Sequence, residues 1–247
     1  KTLKTLEYDK ILEAASGFCT NEPAVRAMLE TVPAEDYAEC AGLLARTREA
    51  DLIENRFLAD PIASFDDVEE ILRKAPRYST LTPGEILRAG RVLRAGRIFR
   101  NTLAGIESEE LPIFRGYAEE VYEDQAFEQE IGEKILSEDT LADTASEKLA
   151  SVRRQIKRSN EEIREKLSEM ISSSNYTKYL QDNLVTIRNG RYVVPVRAEY
   201  KNNIPGLVHD QSASGSTVFL EPTAVVNLNN ELRLLYLEEQ EEIERIL

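Results

Sequence analysis

The sequence predicts a mainly α fold: a helical domain, then a two-helix antiparallel arm carrying a small antiparallel sheet at its end. Three observations predict it. Apolar residues recur at three- and four-residue spacing over most of the chain, and the one dense β signal is confined to residues 184–222. Only 7 % of the residues are aromatic and 31 % are charged, a balance that suits long exposed helices better than a compact globule. With 42 % apolar content over 247 residues, the chain can still bury a substantial core.

Residues 1–140 read as the helical domain, with helices at 3–15, 22–31, 34–55, 65–74, 83–104, 111–122 and 125–137. Gly17, Pro23, Pro33, Pro61, Pro76 and Pro83 fall at or between these elements. Thr82-Pro83-Gly84-Glu85 has the S/T-x-x-E form of a capping box with proline at the first helical position. In "LRAGRVLRAGR" the residues Ala89, Gly90, Ala95 and Gly96 offer small patches for close helix packing. A phosphate cradle would need its glycines in a loop ahead of a helix, not inside one.

Residues 141–183 read as the outgoing helix of the arm. Leu149, Val152, Ile156, Ser159, Ile163, Lys166 and Met170 form a narrow 4-3 seam of the coiled-coil kind across about 141–174, and the helix there would be on the order of 50 Å long. Residues 184–222 hold four short strands. Two β-branched runs, 184–188 and 191–197, flank Asn189-Gly190, the dipeptide preferred for a type I′ turn. Residues 207–210 and 216–220 make a second pair around the loop 211–215, and Pro195 calls for an edge or a bulge. Residues 223–247 return as a helix with Val225, Leu228, Leu232, Leu235, Ile243 and Ile246 on one side. This arrangement would leave Arg188, Arg191, Arg197 and Lys201 free at the far end of the arm.

Charge restricts the partners. The chain carries a net charge of −14, but residues 1–144 hold 17 Lys+Arg against 30 Asp+Glu, whereas residues 145–183 hold 8 against 6 and residues 184–222 hold 4 against 3. A polyanion would therefore meet least repulsion at the outgoing helix and the β segment. No apolar run is long enough to span a membrane, and "KTLKTLEYDK" lacks the apolar segment of a signal peptide. Cys19 and Cys40 match no zinc or disulfide framework, so reduced, buried thiols in a cytoplasmic protein are expected. The chain does not begin with Met and stops inside the helical pattern "EEIERIL", from which a piece of a longer protein is expected.

No constellation for catalysis stands out. His209 is the only histidine, read as a hydrogen-bonded structural residue. Ser212, Ser214 and Ser216 lie near it without a G-x-S-x-G elbow, and a polar turn accounts for them. There is no metal-ligand spacing and no G-x-x-x-x-G-K-[ST] loop. No catalytic residue, metal or cofactor is expected in these residues.

The stretch "VTIRNGRYVVPVRAEYKNNIPGLVHDQSASGSTVFLEPTAVVNLNNEL", followed by "EEQEEIERIL", closely resembles the N-terminal region of the second-type bacterial MutS proteins, the MutS-two family. The opening "LKTLEYDKI" resembles the start of the same family, and the likeness is densest over residues 141–247. The resemblance implies a helical core (1–140) and lever helices (141–183 and 223–247) that carry a β clamp (184–222). It further implies a cytoplasmic homodimer whose remaining parts are an ATP- and Mg-dependent ATPase domain and a Smr-type endonuclease. Such proteins are described as acting on branched DNA to suppress homologous recombination and as splitting collided ribosomes. The function expected of these residues is accordingly non-catalytic: gripping duplex or branched DNA by its backbone and coupling to the ATPase domain. Contact with ribosomes or rRNA alone, or a structural coiled-coil arm with no ligand, are the alternatives. Arg188, Arg191, Arg197 and Lys201 are the candidate nucleic-acid contacts by their place in the arm, since no motif assigns them.

Overall fold

The structure is a computed structural model describing residues 2–77 and 80–247. Its elements are α1 (Thr2–Thr5), α2 (Tyr8–Ser16), α3 (Glu22–Leu29), α4 (Tyr37–Asp51), α5 (Glu69–Lys74), α6 (Pro83–Ala104), α7 (Pro112–Glu120), α8 (Gln125–Lys134), β1 (Ile135–Ser137), β2 (Thr140–Leu141), α9 (Glu147–Ser172), α10 (Ser174–Thr177), β3 (Thr186–Arg188), β4 (Arg191–Arg197), β5 (Gly206–Gln211), β6 (Thr217–Pro222) and α11 (Thr223–Ile246). The fold is mainly α with small antiparallel sheets. Two compact units divide it, one running up to Ala142 and the other comprising Asp143–Ile246.

In the first unit the core gathers Ile53, Leu103, Ile106, Leu111 and Ala118, with Phe99 and Phe114 packed against them. The expected capping box is present: the Thr82 hydroxyl accepts from the Glu85 N–H, and the Glu85 carboxylate accepts from the Thr82 N–H. The glycines of α6 admit close neighbours, as expected. A Cβ on Gly90 would lie 3.2 Å from Ile131, and one on Gly96 would lie 2.9 Å from Val121. A buried carboxylate caps α7 from a distance: Glu49 of α4 accepts the N–H groups of Ile113 and Phe114, each at 3.0 Å, where the helix dipole favours negative charge.

Several expectations for this unit need correction. The helix expected at 125–137 ends at Lys134, and Ile135–Ser137 pairs with Thr140–Leu141 as a hairpin. The helix expected at 3–15 is interrupted at Glu7, which adopts φ 51°. Neither thiol is fully buried: both are free, Cys19 partly covered and Cys40 exposed on α4. The reason is that α2 and α3 bury no residue and α4 buries only Glu49, so apolar side chains such as Phe18 and Tyr37 remain 88 % and 89 % exposed.

The second unit is built on α9 and α11, which run antiparallel: Ser146 meets Glu242 at 2.6 Å, and Arg153 meets Glu239 at 2.7 Å. At 26 residues α9 is about 39 Å long, shorter than the helix of about 50 Å expected over residues 141–174. Its buried seam is Leu149, Val152, Ile156, Ile163 and Leu167. Leu167 replaces the expected Lys166, which lies on the solvent side and pairs with Glu162 at 2.9 Å. The four strands β3 to β6 form one sheet in the order β3-β4-β6-β5, all neighbours antiparallel. Tyr192, Val194, Val196, Val218 and Leu220 project from one face of this sheet into a core shared with Ile163, Leu167, Val225 and Leu232. No helix among the described residues is long and apolar enough to cross a membrane.

Candidate nucleic-acid interface

The turn that joins β3 to β4 has the expected conformation, with Asn189 at φ 51° and Gly190 at φ 72°. Its location differs from the expected one. The Tyr192 hydroxyl, next to the turn, donates to Asn160 in the middle of α9 at 2.7 Å, and the Arg164 guanidinium lies over the Tyr192 ring. The turn therefore folds back along the helix pair. The opposite end of β4, at Arg197, is the outer one, since its N–H donates to Tyr179 just after α10. Six residue steps of extended chain, about 20 Å, separate Arg191 from Arg197, so the four candidate cations do not form one patch.

Near the turn a buried carboxylate organises the sheet. Glu221, 0 % exposed, receives Arg191 Nη1 at 2.8 Å and Asn229 Nδ2 at 2.7 Å, and His209 Nε2 lies 2.5 Å from its other oxygen. A β-bulge in β5 places His209 there: Val208 pairs with Leu220 and Asp210 with Phe219, leaving His209 as the extra residue. Asn229 of α11 completes the arrangement. Its side chain accepts from the Tyr192 N–H and donates to the Tyr192 carbonyl, both at 3.1 Å. Those groups would otherwise lack a ladder partner, because β6 ends at Pro222, which has no N–H to offer. One asparagine amide thus takes the place of a strand and fastens the sheet to α11.

Arg191 is not free: its side chain is 17 % exposed and is held by Glu221 and by Asn230 at 2.6 Å. Arg188 is half-committed, its guanidinium stacked 4.1 Å from the Phe219 ring and 3.4 Å from Asp210. Arg197 and Lys201 are exposed, and neither has a carboxylate partner among the described residues. The earlier placement of all four at a free tip is corrected for Arg188 and Arg191. The physical reason is that β4 runs the length of the sheet, and the buried Glu221 requires a cation beside it.

The outer end holds groups that the sequence reading passed over. Tyr179 and Tyr200 pack with ring centres 5.3 Å apart, and Lys178 Nζ lies 4.9 Å above the Tyr179 ring. The loop between β5 and β6 meets this cluster where Ala198 N–H donates to the Ser216 carbonyl at 2.9 Å. Glu221 and Asn229 were also missed. The clue available was polar residues at positions a strand or helix buries: the Glu of "FLEP" and the Asn one place beside the 225-228-232 seam. His209 is hydrogen-bonded, as expected. Among the described residues no group of three or more His, Cys, Asp or Glu side chains could hold a metal ion.

No family model matches the chain. Over its whole length it is 38 % identical to Endonuclease MutS2 of Clostridioides difficile (strain 630). It is 42 % identical to the Endonuclease MutS2 of Clostridium perfringens (strain 13 / Type A) and 40 % identical to that of Ruminiclostridium cellulolyticum, again from end to end. The chain spans 31 % of the length of each of these relatives. The motifs "VHDQSASGST" and "LEP" supply the bulged His209, the β5–β6 loop and the buried Glu221 of one sheet, and with the end-to-end similarity they place the chain in the MutS-two family.

Proposed function

We propose that these residues are the non-catalytic, nucleic-acid-gripping part of a MutS-two protein, with the helical core, lever helices and β clamp that the resemblance implies. The reading is that the clamp holds duplex or branched DNA through its backbone while α9 and α11 relay its position to an ATPase domain elsewhere in the protein. The observation that carries this reading is the Asn229–Tyr192–Glu221 connection, which ties sheet and helix so that a movement of α11 moves the sheet. The names of the relatives support a nucleic-acid-related role. In this reading ATP, Mg, dimerisation and strand cleavage belong to the rest of the protein, as do recombination suppression and ribosome splitting.

The test is direct binding of the 247-residue chain to duplex DNA, branched DNA and ribosomes at one low salt concentration. The expected result is weak binding to both DNAs, with Kd on the order of 1–100 µM, as suits backbone contact by an acidic chain. Binding to ribosomes alone would replace DNA as the partner. Binding to none would leave a structural arm, and ATP hydrolysis or DNA cleavage by this chain would overturn the non-catalytic assignment.

A further inference from the structure

The loop at the outer end of the sheet is a tightly braced turn. Gly215 sits at φ 72°, and the turn is closed by Gly215 N–H to the Ser212 carbonyl at 2.8 Å and Ser212 N–H to the Thr217 carbonyl at 2.9 Å. Gln211 Nε2 braces it through the Gly215 carbonyl at 2.9 Å, and the Ser212 hydroxyl accepts from the Thr217 N–H at 3.1 Å. Ser214 and Ser216 are exposed, with their hydroxyl oxygens 2.8 Å apart. Among the described residues the N–H groups of Ala213, Ser214 and Ser216 have no acceptor in the chain. A fixed turn with three N–H groups open to an outside acceptor, and a mutually bonded run of serine hydroxyls beside them, offers donors to an anion.

Cations stand beside it. Arg197 faces Thr217 across the β4–β6 ladder, and Ala198, the next residue, bonds to Ser216. Lys178 reaches the same end through Tyr179, whose carbonyl accepts from the Arg197 N–H at 3.0 Å, and Lys201 follows Tyr200. None of the three cations has a carboxylate partner among the described residues, although Glu199 lies between Arg197 and Lys201 in sequence. This contrasts with Arg188 and Arg191, which Asp210 and Glu221 neutralise. The aromatic pair holds the cluster in place without supplying charge.

We propose that the Gln211–Ser216 loop, together with Lys178, Arg197 and Lys201, binds the phosphodiester backbone of a nucleic acid. The loop donors and the cations would take successive phosphates, and Arg191 would take none. This inference rests on the reading of the unit as a nucleic-acid grip and names where the contact is made. Phosphate contact through hydroxyls, backbone N–H groups and cations positions a protein without reading sequence, so DNA and RNA duplexes would share the site.

The experiment is fluorescence anisotropy of the 247-residue chain with a labelled 30-base-pair DNA duplex and the matching RNA duplex, at two salt concentrations and with two unrelated sequences. The variants are Lys178→Ala with Arg197→Ala, and Ser214→Asp with Ser216→Asp; Lys10→Ala is the control. The Asp variants are at exposed loop positions, and a thermal melt confirms that each variant folds. The expected result is a loss of tenfold or more for both double variants on every sequence, with a salt slope lower by about two for the cation pair and Lys10→Ala within twofold of the parent. If the parent chain binds and the loop and cation variants bind within twofold of it, the site is elsewhere and only this inference falls. Should the parent chain bind neither duplex, the grip reading itself fails, and this inference with it.

Discussion

Asn229 shows how a single side chain decides the local design. A strand-end N–H and C=O buried without partners would cost several kcal/mol, and the amide of Asn229 offers one donor and one acceptor at the spacing a neighbouring strand would present. It also bonds Glu221, so its loss removes a partner from three buried groups at once. Asn229→Ala should destabilise the second unit by about 2–4 kcal/mol, read from urea unfolding; a change below about 0.5 kcal/mol would show that water replaces the amide at little cost. Glu242 supplies a pH signature. Hydrogen bonds from Arg245 and then Ser146 lower its pKa from 4.5 to about 2. A carboxylate with a lower pKa folded than unfolded holds fewer protons in the folded state, so its contribution is complete above about pH 5 and drains as pH falls towards 2. The difference in unfolding midpoint between the parent chain and Glu242→Gln should therefore shrink between pH 5 and pH 2. A constant difference across that range would sink the assignment.

At the scale of elements, the β3–β4 turn and the start of α9 carry the clearest consequences. A Cβ on Gly190 meets nothing within 4 Å, so any penalty there comes from the backbone at φ 72° alone. Gly190→Val should destabilise by about 1–2 kcal/mol, whereas Gly190→Asn should cost much less because Asn tolerates the left-handed region. Equal unfolding midpoints for the two variants would contradict this. Ser146 caps α9 by accepting from the Leu149 N–H at 3.0 Å and also donates to Glu242. Ser146→Ala should lower stability by about 1 kcal/mol, with the amide of Leu149 exchanging faster in NMR. The β1–β2 hairpin is not legible in the sequence because Ile131 and Ile135 keep a helical spacing and no Gly or Pro marks the turn at 138–139. The backbone of Glu138, in its turn, is used instead to receive the Gly84 N–H at the start of α6.

For the whole molecule, the division into two units has a direct test. The second unit holds its own core, from Val152 through Leu232, and its own buried polar network. A fragment comprising Asp143–Ile246 should fold alone with a cooperative thermal transition; a molten, non-cooperative melt would show that its core needs the rest of the chain. Charge also acts at this scale. With 30 Asp+Glu in residues 1–144, removal of the acidic unit should strengthen polyanion binding at low salt, and the gain should fade as salt screens it. A gain that persists at high salt would mean that the effect is not electrostatic.

Local chemistry made much of this protein legible in its sequence. The capping box at Thr82, the Asn189-Gly190 turn and the helix Pro83–Ala104 follow from backbone preferences that act over a few residues, and the structure has each of them. The four strands were visible for the same reason, since β-branched runs and turn residues mark them in order. The candidate site was legible only in part. Arg197 and Lys201 lie exposed at the outer end as expected, but the capture of Arg191 by Glu221 and the backward course of the turn depend on groups 30 or more residues apart. The burial of Leu167 in place of Lys166 and the meeting of the serine loop with Arg197, 20 residues before Thr217, likewise depend on contacts between separate elements. Sequence alone determined most of the helix, strand and turn segments, the β1–β2 hairpin excepted, because those preferences are short-ranged. Only the tertiary structure decided which cations stay free, because a buried carboxylate draws its partners from whatever elements the fold brings beside it.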